Sequence, residues 1–494
     1  MANVAGAGWS AALQFLSVPL VAKLIGVEAY GLVGFFTTLQ VSLQMLDLGF
    51  SATINRELAR FSSRAETANA ARDLLRTMEL VYWGIGICIG MAIVMLAPTI
   101  ARHWLQASHM DAVELKRAVE LIGAVIALQW PLSFYQGGLA GLQQMVRLNA
   151  LRIGAATLST GGGLLVLWLV EASIRSYFLW LILASATQVL ATAAVLWVSM
   201  PTGTRRGRFD HRRLFGVARF AAGTGGITAL GTVLSQMDKI VLSRILPLEQ
   251  FGFYSLAVIL ASSLTLFISP VFSASYPRLS EVVARGGAGS ISEIYHQLSQ
   301  VMACLILPAA GLLIAFAPMC LLTWTGNGTV AESAALILVL LVVGTTINGL
   351  MHLPYALQLA YGWTQAGLSL SICNVVLFAP MMVWSAVNFG AVGGAAIWAL
   401  LNIFHLAVGL PLTHRRLLRG EMRVWLLRDV GYPLVAVTGV MLAARGVVDT
   451  DATGSSAVLQ LATVASFALL AAAFSSSFIC SNLKKLVLQA RLGR

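Results

Sequence analysis

Charge is what this chain lacks most. Only 11% of its residues are Asp, Glu, Lys or Arg, 58% are hydrophobic, and the mean hydropathy is +0.83. Soluble domains carry about 25% charged residues, so a complete water-facing shell is excluded. Acids are scarcer than bases, 20 Asp and Glu against 32 Lys and Arg. No acidic pair sits at a spacing suited to acid–base catalysis, and there is no HExxH, no Walker loop and no GxSxG elbow. Those absences argue against an enzyme and against energy drawn from a bound nucleotide. Cysteine is sparse: Cys88, Cys304, Cys320, Cys373 and Cys480 are scattered through apolar runs. That excludes a disulfide framework and any metal-ligand spacing. Long aqueous loops are missing as well. The longest expected outer loop, about 101–116, is too short to hold a glycosyltransferase or polymerase active site.

What is present is apolar sequence in bilayer-length pieces. About fourteen runs of some 20 residues recur along the chain, including a seventh from Val217 and separate runs from Gly367 and Val392. Backbone polar groups inside a bilayer must be satisfied within their own segment. The expected fold is therefore all-α and polytopic, with about 14 transmembrane helices. The first run has neither a basic lead-in nor a small-residue cleavage site, so it reads as a retained helix and not as a signal peptide. The net charge of +12 comes largely from Arg-rich loops on one side. That skew is the positive-inside pattern, and with an even number of spans it places both termini in the cytoplasm. The basic balance is thus an orientation signal, with anionic lipid as a secondary partner and no call for nucleic acid.

Two Arg-dense breaks divide the chain. The expected organisation is an N-terminal lobe over 1–200 (six spans), a basic cytoplasmic linker over 201–216 and a C-terminal lobe over 217–413 (six spans). A basic loop over 414–429 and a last helix pair with its tail over 430–494 follow. The lobes read as repeats. Lys23-Leu-Ile-Gly-Val-Glu28-Ala-Tyr30-Gly31 matches Arg244-Ile-Leu-Pro-Leu-Glu249-Gln-Phe251-Gly252 at an offset of 221. Tyr135–Ala140 matches Tyr355–Ala360 at 220. Two matches in order at nearly one offset indicate a parallel repeat.

Polar stripes mark the first two helices of each lobe. Asn3, Ser10, Gln14 and Ser17 share one face of the first span, and Thr224, Thr228, Ser235 and Asp238 the equivalent face of the seventh. Thr37, Gln40, Gln44, Asp47 and Ser51 line the second span, and Ser262, Thr265, Ser269 and Ser273 the eighth. Interhelical hydrogen bonding is the plain explanation for Ser and Thr in such positions. Asp47, Asp238 and Lys239 are costlier to bury, and they point to a water-filled cavity. Asp238 and Lys239 are adjacent, about 100° apart on a helix, and so are not expected simply to pair with each other. Lys23 and Arg244 sit at equivalent outer ends, as anion contacts or as snorkelling anchors; Arg56 and Arg278 sit at equivalent inner ends. His352 and His405 lie within spans, where packing explains them better than proton relay. Trp104 and Trp324 read as interfacial belt residues.

The pattern Asn3, Pro19–Gly31, Leu46-Asp47-Leu48-Gly49-Phe50 and Arg56, with Gln236-Met-Asp238-Lys239 through Arg244 and Phe251-Gly252-Phe253-Tyr254, resembles the Wzx-type polysaccharide flippases. These form the polysaccharide-transporter branch of the multidrug/oligosaccharidyl-lipid/polysaccharide (MOP) exporter superfamily. The resemblance implies two six-helix lobes around a cationic cavity and no catalytic or metal site. It implies a cargo of undecaprenyl-diphosphate-linked oligosaccharide, an O-antigen or other repeat unit, moved from the cytoplasmic to the periplasmic leaflet of a bacterial inner membrane. The cavity residues it suggests are Lys23, Arg56, Arg219, Lys239, Arg244 and Arg278 as cations, with Asn3, Gln14, Gln40 and Gln44. Asp47 and Asp238 are the candidates for coupling to H+ or Na+. A polysaccharide polymerase and a chain-length regulator are the protein partners it implies. The alternatives are a MATE-like drug antiporter, in which acids should dominate the cavity, a lipid II flippase, and a non-transporting scaffold of a polysaccharide-assembly complex.

Overall fold

The computed structural model describes residues 2–47, 49–62, 68–201, 205, 207–211, 231–232, 235–286, 288–450 and 452–481, without the side chains of 2–7, 61–62, 288–289, 366 and 368. In chain order the helices are α1 (Ala2–Ile25), α2 (Val27–Leu43), α3 (Phe50–Ser62), α4 (Ala68–Thr99), α5 (Ala112–Gly141), α6 (Met145–Ala156), α7 (Gly162–Leu169) and α8 (Ile174–Ser199). Next come α9 (235–245), α10 (Leu248–Ser262), α11 (Thr265–Arg285), α12 (Ala288–Ala315), α13 (Ala317–Thr325), α14 (Gly328–Ala360) and α15 (Thr364–Phe404). The last are α16 (Leu410–Leu417), the three-residue α17 (Met422–Val424), α18 (Tyr432–Arg445) and α19 (Gly454–Ser475).

Among the described residues, eleven helical segments are long and apolar enough to cross a membrane, and α10 with α11, bent by 41°, makes a twelfth if the pair is one span. One of the eleven, Ser369–Leu417, has 49 residues. As a single helix it would be roughly 74 Å long, more than twice the ~30 Å hydrocarbon core. It is two helices: Gly390 has φ 58° and ψ −137°. A Cβ on Gly393 would lie 2.2 Å from the carbonyl oxygen of Ser385, so the chain doubles back there. Spans expected from Gly367 and Val392 are thus both present. The expected seventh span falls largely on 212–230, outside the described residues, as do Thr224, Thr228 and most of the 201–216 linker. The chain is a multi-pass, all-helical membrane protein.

By packing, the chain divides into two compact units, Met1–Gly252 and Phe253–Arg494. In the first unit α4 and α5 form the central pair. Small residues let their backbones approach: a Cβ on Gly90 would meet the Ala127 Cβ at 2.7 Å and the Gly123 oxygen at 2.9 Å, as suits helix pairing where no water drives association. Around that seam Met78, Tyr82, Phe134, Tyr135 and Leu139 form a buried cluster. In the second unit α12 and α14 pack side by side, and α18 and α19 pack against α12.

The second helix of each repeat has the same local plan. α2 starts at Val27 and α10 at Leu248, the offset of 221 read from the sequence, and both then break. After α2 comes a tight 3-10 turn, Gln44–Asp47, and Gly49 at φ 81° before α3 begins. This corrects the expectation that Thr37 to Ser51 form one helical face. Gly49 adopts a left-handed conformation that a residue with a Cβ resists, and it turns the chain between Gln44 and Ser51.

Candidate transport site

In the first unit the polar residues of α2 and of the turn after it are linked to side chains of α3, α4, α5 and α8. Gln40 hydrogen-bonds to Gln129 of α5, whose amide donates onward to Ser185 Oγ of α8 at 2.8 Å. At the break below, half-buried Asp47 accepts from the Tyr82 hydroxyl of α4 and, at 2.7 Å, from Ser51 Oγ of α3. Tyr82 is itself 2% exposed and stacks on Phe134 at 5.0 Å between ring centres. Apolar walls around Tyr82 therefore fix its hydroxyl toward the carboxylate. Gln44 is exposed on the turn and Gln14 is exposed on α1. Arg219 and the side chain of Asn3 lie outside the described residues.

Asp238 and Lys239 do pair, contrary to the expectation from their helical angle. Lys239 Nζ donates to the two carboxylate oxygens of Asp238 at 3.0 and 3.1 Å and to the Ser235 carbonyl at 3.0 Å. The flexible lysine stem spans the 100° between neighbours, which the backbone direction alone does not reveal. Asp238 is 6% exposed, so the charge is buried but faces a cation. Arg56 is exposed on α3, and Arg278, in the second unit, is exposed and pairs with Glu281 at 2.8 Å.

The repeat-equivalent cations Lys23 and Arg244 have different surroundings. Arg244 lies over the Trp104 ring, 5.4 Å from its centre. Trp104 is a strut as well as an apolar surface, donating to Ser243 Oγ at 3.1 Å. Gln106 forms an isolated parallel bridge with Pro247, and its carbonyl accepts the Leu248 N–H at 2.7 Å. The Glu28 carboxylate takes the backbone N–H groups of Ser108 and His109. The segment 104–109 thus ties the start of α2 to the start of α10. Here the repeat becomes reciprocal: a Cβ on Gly31 would lie 2.3 Å from the Leu248 oxygen, and one on Gly252 2.4 Å from the Val27 oxygen. Lys23, by contrast, is exposed and lines a cavity of about 1140 Å3 between α1, α7 and α8.

Several buried charges escaped the sequence reading. Asp73, 6% exposed, takes the Arg205 guanidinium at 2.6 and 2.8 Å and the Arg208 N–H at 2.7 Å, which docks part of the basic linker on α4. Glu79, 7% exposed, faces Arg76 at 2.7 Å and accepts from Tyr135 at 2.7 Å and Trp197 at 3.1 Å. In the second unit His296 lies between Asp429, which is fully buried, and Glu421 at 3.3 Å. The signal was in the sequence in part: Glu79 opens an apolar run, Asp73 lies among the arginines just before it, and Asp429 ends an Arg-rich loop. Reading those stretches as orientation signals hid their acids. His352 bonds the Asn348 carbonyl at 2.8 Å and His405 bonds Asn374, both packing roles.

A family model described as a polysaccharide biosynthesis protein matches residues 2–283. The chain belongs to that family. The match takes in the first unit and the broken second helix of the next repeat, the segments that carried the resemblance in the sequence. No curated protein matches the chain. Among solved structures, a lipid II flippase MurJ in an inward closed conformation aligns with TM-score 0.73 and 12% identity, over 95% of this chain and 97% of that one. An inward-facing multidrug resistance MATE transporter of the MOP superfamily aligns with TM-score 0.69 and 14% identity, over 84% and 96%. A MOP superfamily transporter from Pyrococcus furiosus, described as having a binding pocket of reverse polarity, aligns at 0.55 and 16%, over 85% and 94%. At these identities the likeness is one of fold. This member of the polysaccharide biosynthesis family has the fold of those flippase and transporter structures.

Proposed function

We propose that the chain is a flippase that turns an undecaprenyl-diphosphate-linked oligosaccharide, an O-antigen or similar repeat unit, from the cytoplasmic to the periplasmic leaflet. The observation that carries this reading is the family match over 2–283, coinciding with a first unit whose membrane-length helices are joined by a polar network. A pyrophosphate-sugar headgroup is anionic and hydrophilic, so crossing requires groups that replace its hydration. The Gln40–Gln129–Ser185 chain supplies neutral donors and acceptors, and Lys239 with Lys23, Arg56, Arg219, Arg244 and Arg278 supplies positive charge. Alternating access between two repeats exposes such a site to one leaflet at a time, while the lipid tail stays in the bilayer. Asp47, whose carboxylate is held by Tyr82 and Ser51, and Asp238, held by Lys239, are the candidates for H+ or Na+ coupling. The setting is a bacterial inner membrane with both termini cytoplasmic, beside a polysaccharide polymerase and a chain-length regulator.

The test is complementation. The gene is deleted in its host, and surface polysaccharide and lipid-linked intermediates are scored with wild type, Lys239→Ala and Asp47→Asn at equal expression. The reading expects stranded lipid-linked oligosaccharide in the deletion strain and failure of the variants to clear it. Unchanged surface glycan with raised sensitivity to cationic drugs would assign the chain to the antiporter reading instead.

A further inference from the structure

We infer that the first unit holds a resident anionic phospholipid in the groove between α1, α7 and α8, with its phosphate on Lys23. The groove has about 1140 Å3 of space, above the range of roughly 300–1,000 Å3 typical of small-molecule pockets. Its walls are apolar, with Leu20, Leu24 and Leu165 among them, and Lys23 is the formal charge among its lining residues. Leu165 and Trp168 are 54% and 74% exposed.

The groove is built by a local departure from helix geometry. The backbone opens into a π-turn over Thr157–Gly161, between α6 and α7, an irregularity that is often found at functional positions. The Trp180 indole donates to the Leu158 carbonyl at 2.9 Å. It lies against bare backbone at Gly162, where a Cβ would fall 2.2 Å from the ring. Trp9 of α1 donates to Thr157 Oγ1 at 3.0 Å and holds the first helix beside the turn. Gly161 leaves open space, with nothing within 4 Å of where its Cβ would stand. The floor is therefore glycine, and the Trp180 indole beside it is fixed by its hydrogen bond to the turn.

Charge and depth select the occupant. Lys23 is in the last turn of α1, and a lysine stem lies along apolar surface while its ammonium reaches headgroup level. Trp168, on the same cavity, marks that level independently, as tryptophan does at membrane interfaces. A molecule that matches both ends has an acyl chain for the leucine walls and a net negative phosphate headgroup for the ammonium. A zwitterionic lipid fills the same volume but leaves its own cation beside Lys23. With a lipid phosphate on it, Lys23 leaves the set of cations proposed above for the cargo, and the site does not otherwise depend on that reading.

Native mass spectrometry of the full chain, released from nanodiscs of equal phosphatidylglycerol and phosphatidylcholine, tests the inference. The expected result is one retained phosphatidylglycerol in wild type, and at least a tenfold loss of occupancy in Lys23→Gln. Gly161→Phe fills the floor without a backbone clash and should abolish retention while leaving the unfolding temperature unchanged. Arg117→Gln, which removes an exposed cation of α5, should retain the lipid as wild type does. Equal retention of both lipids, undiminished phosphatidylglycerol in Lys23→Gln, or equal loss in Arg117→Gln overturns the assignment. So does stoichiometric displacement by a polyprenyl phosphate at equal concentration, which would make the groove a seat for the cargo's chain.

Discussion

Asp429→Ala should be among the most destabilising single substitutions in the second unit. Asp429 is fully buried in a π-turn over Trp425–Gly431 that leads into α18. One carboxylate oxygen meets His296 Nδ1 and the other accepts from Gln300 Nε2 at 2.9 Å, both from α12 and one helical turn apart. Gln300 in turn holds the end of α19, accepting from Ser476 Oγ at 2.8 Å and the Phe478 N–H at 3.0 Å. Removing the carboxylate leaves two buried donors unanswered and loosens both terminal helices. Breaking one side of a buried charged pair costs about 3–5 kcal/mol. Neutral interhelical hydrogen bonds in membranes average only about 0.6 kcal/mol, so the two descriptions of the cluster are well separated. Steric trapping of purified protein in bicelles measures the unfolding free energy directly. The expected loss for Asp429→Ala is about 3–5 kcal/mol, with much of it recovered in His296→Leu/Asp429→Leu, where no charge is left buried alone. A loss under about 1 kcal/mol, or strict additivity of His296→Ala and Asp429→Ala, would refute the ion-pair account and leave the cluster as ordinary polar glue.

Three further outcomes follow from other sites. Gly31→Val and Gly252→Val each place side-chain atoms where a neighbouring carbonyl oxygen already lies within 2.4 Å of the Cβ position. Both should insert normally yet fail complementation to a similar degree, and wild-type complementation by either would contradict the reciprocal contact. Tyr82→Phe keeps the stacking on Phe134 and deletes only the hydroxyl that Asp47 accepts. It should cost about 1.5–3 kcal/mol and be strongly non-additive with Asp47→Asn in a double-mutant cycle. Lys239→Ala removes the ammonium that faces buried Asp238, so it should lower folded yield more than Lys239→Gln/Asp238→Asn does, as read by monodisperse protein after detergent extraction. The opposite order would show that Asp238 does not rely on Lys239.

Much of the architecture was legible because bilayer physics writes it in one dimension. Apolar run length gave the spans among the described residues, down to the pair on either side of Gly390. The offset of 221 found the equivalent starts at Val27 and Leu248, although Gly26 at φ 86° precedes the first and Pro247 the second. Gln40 and Asp47 stood out because polar side chains within a span need partners. The partners themselves were not legible. Gln129 and Tyr82 lie 89 and 35 residues away along the chain, and nothing local in the sequence points one at the other.

Composition and spacing by themselves therefore determined that the chain is a polytopic helical membrane protein built on a repeat, since a segment of about 20 apolar residues has few other stable states. Tertiary structure decided which charges are paired and with what. Asp73 on Arg205, Asp238 on Lys239 and Asp429 on His296 are each an acid whose meaning depends on what folds against it. A buried charge is settled by its nearest neighbours within a few ångströms, and in this fold those neighbours come from one residue away for Asp238 and from other segments for Asp73 and Asp429.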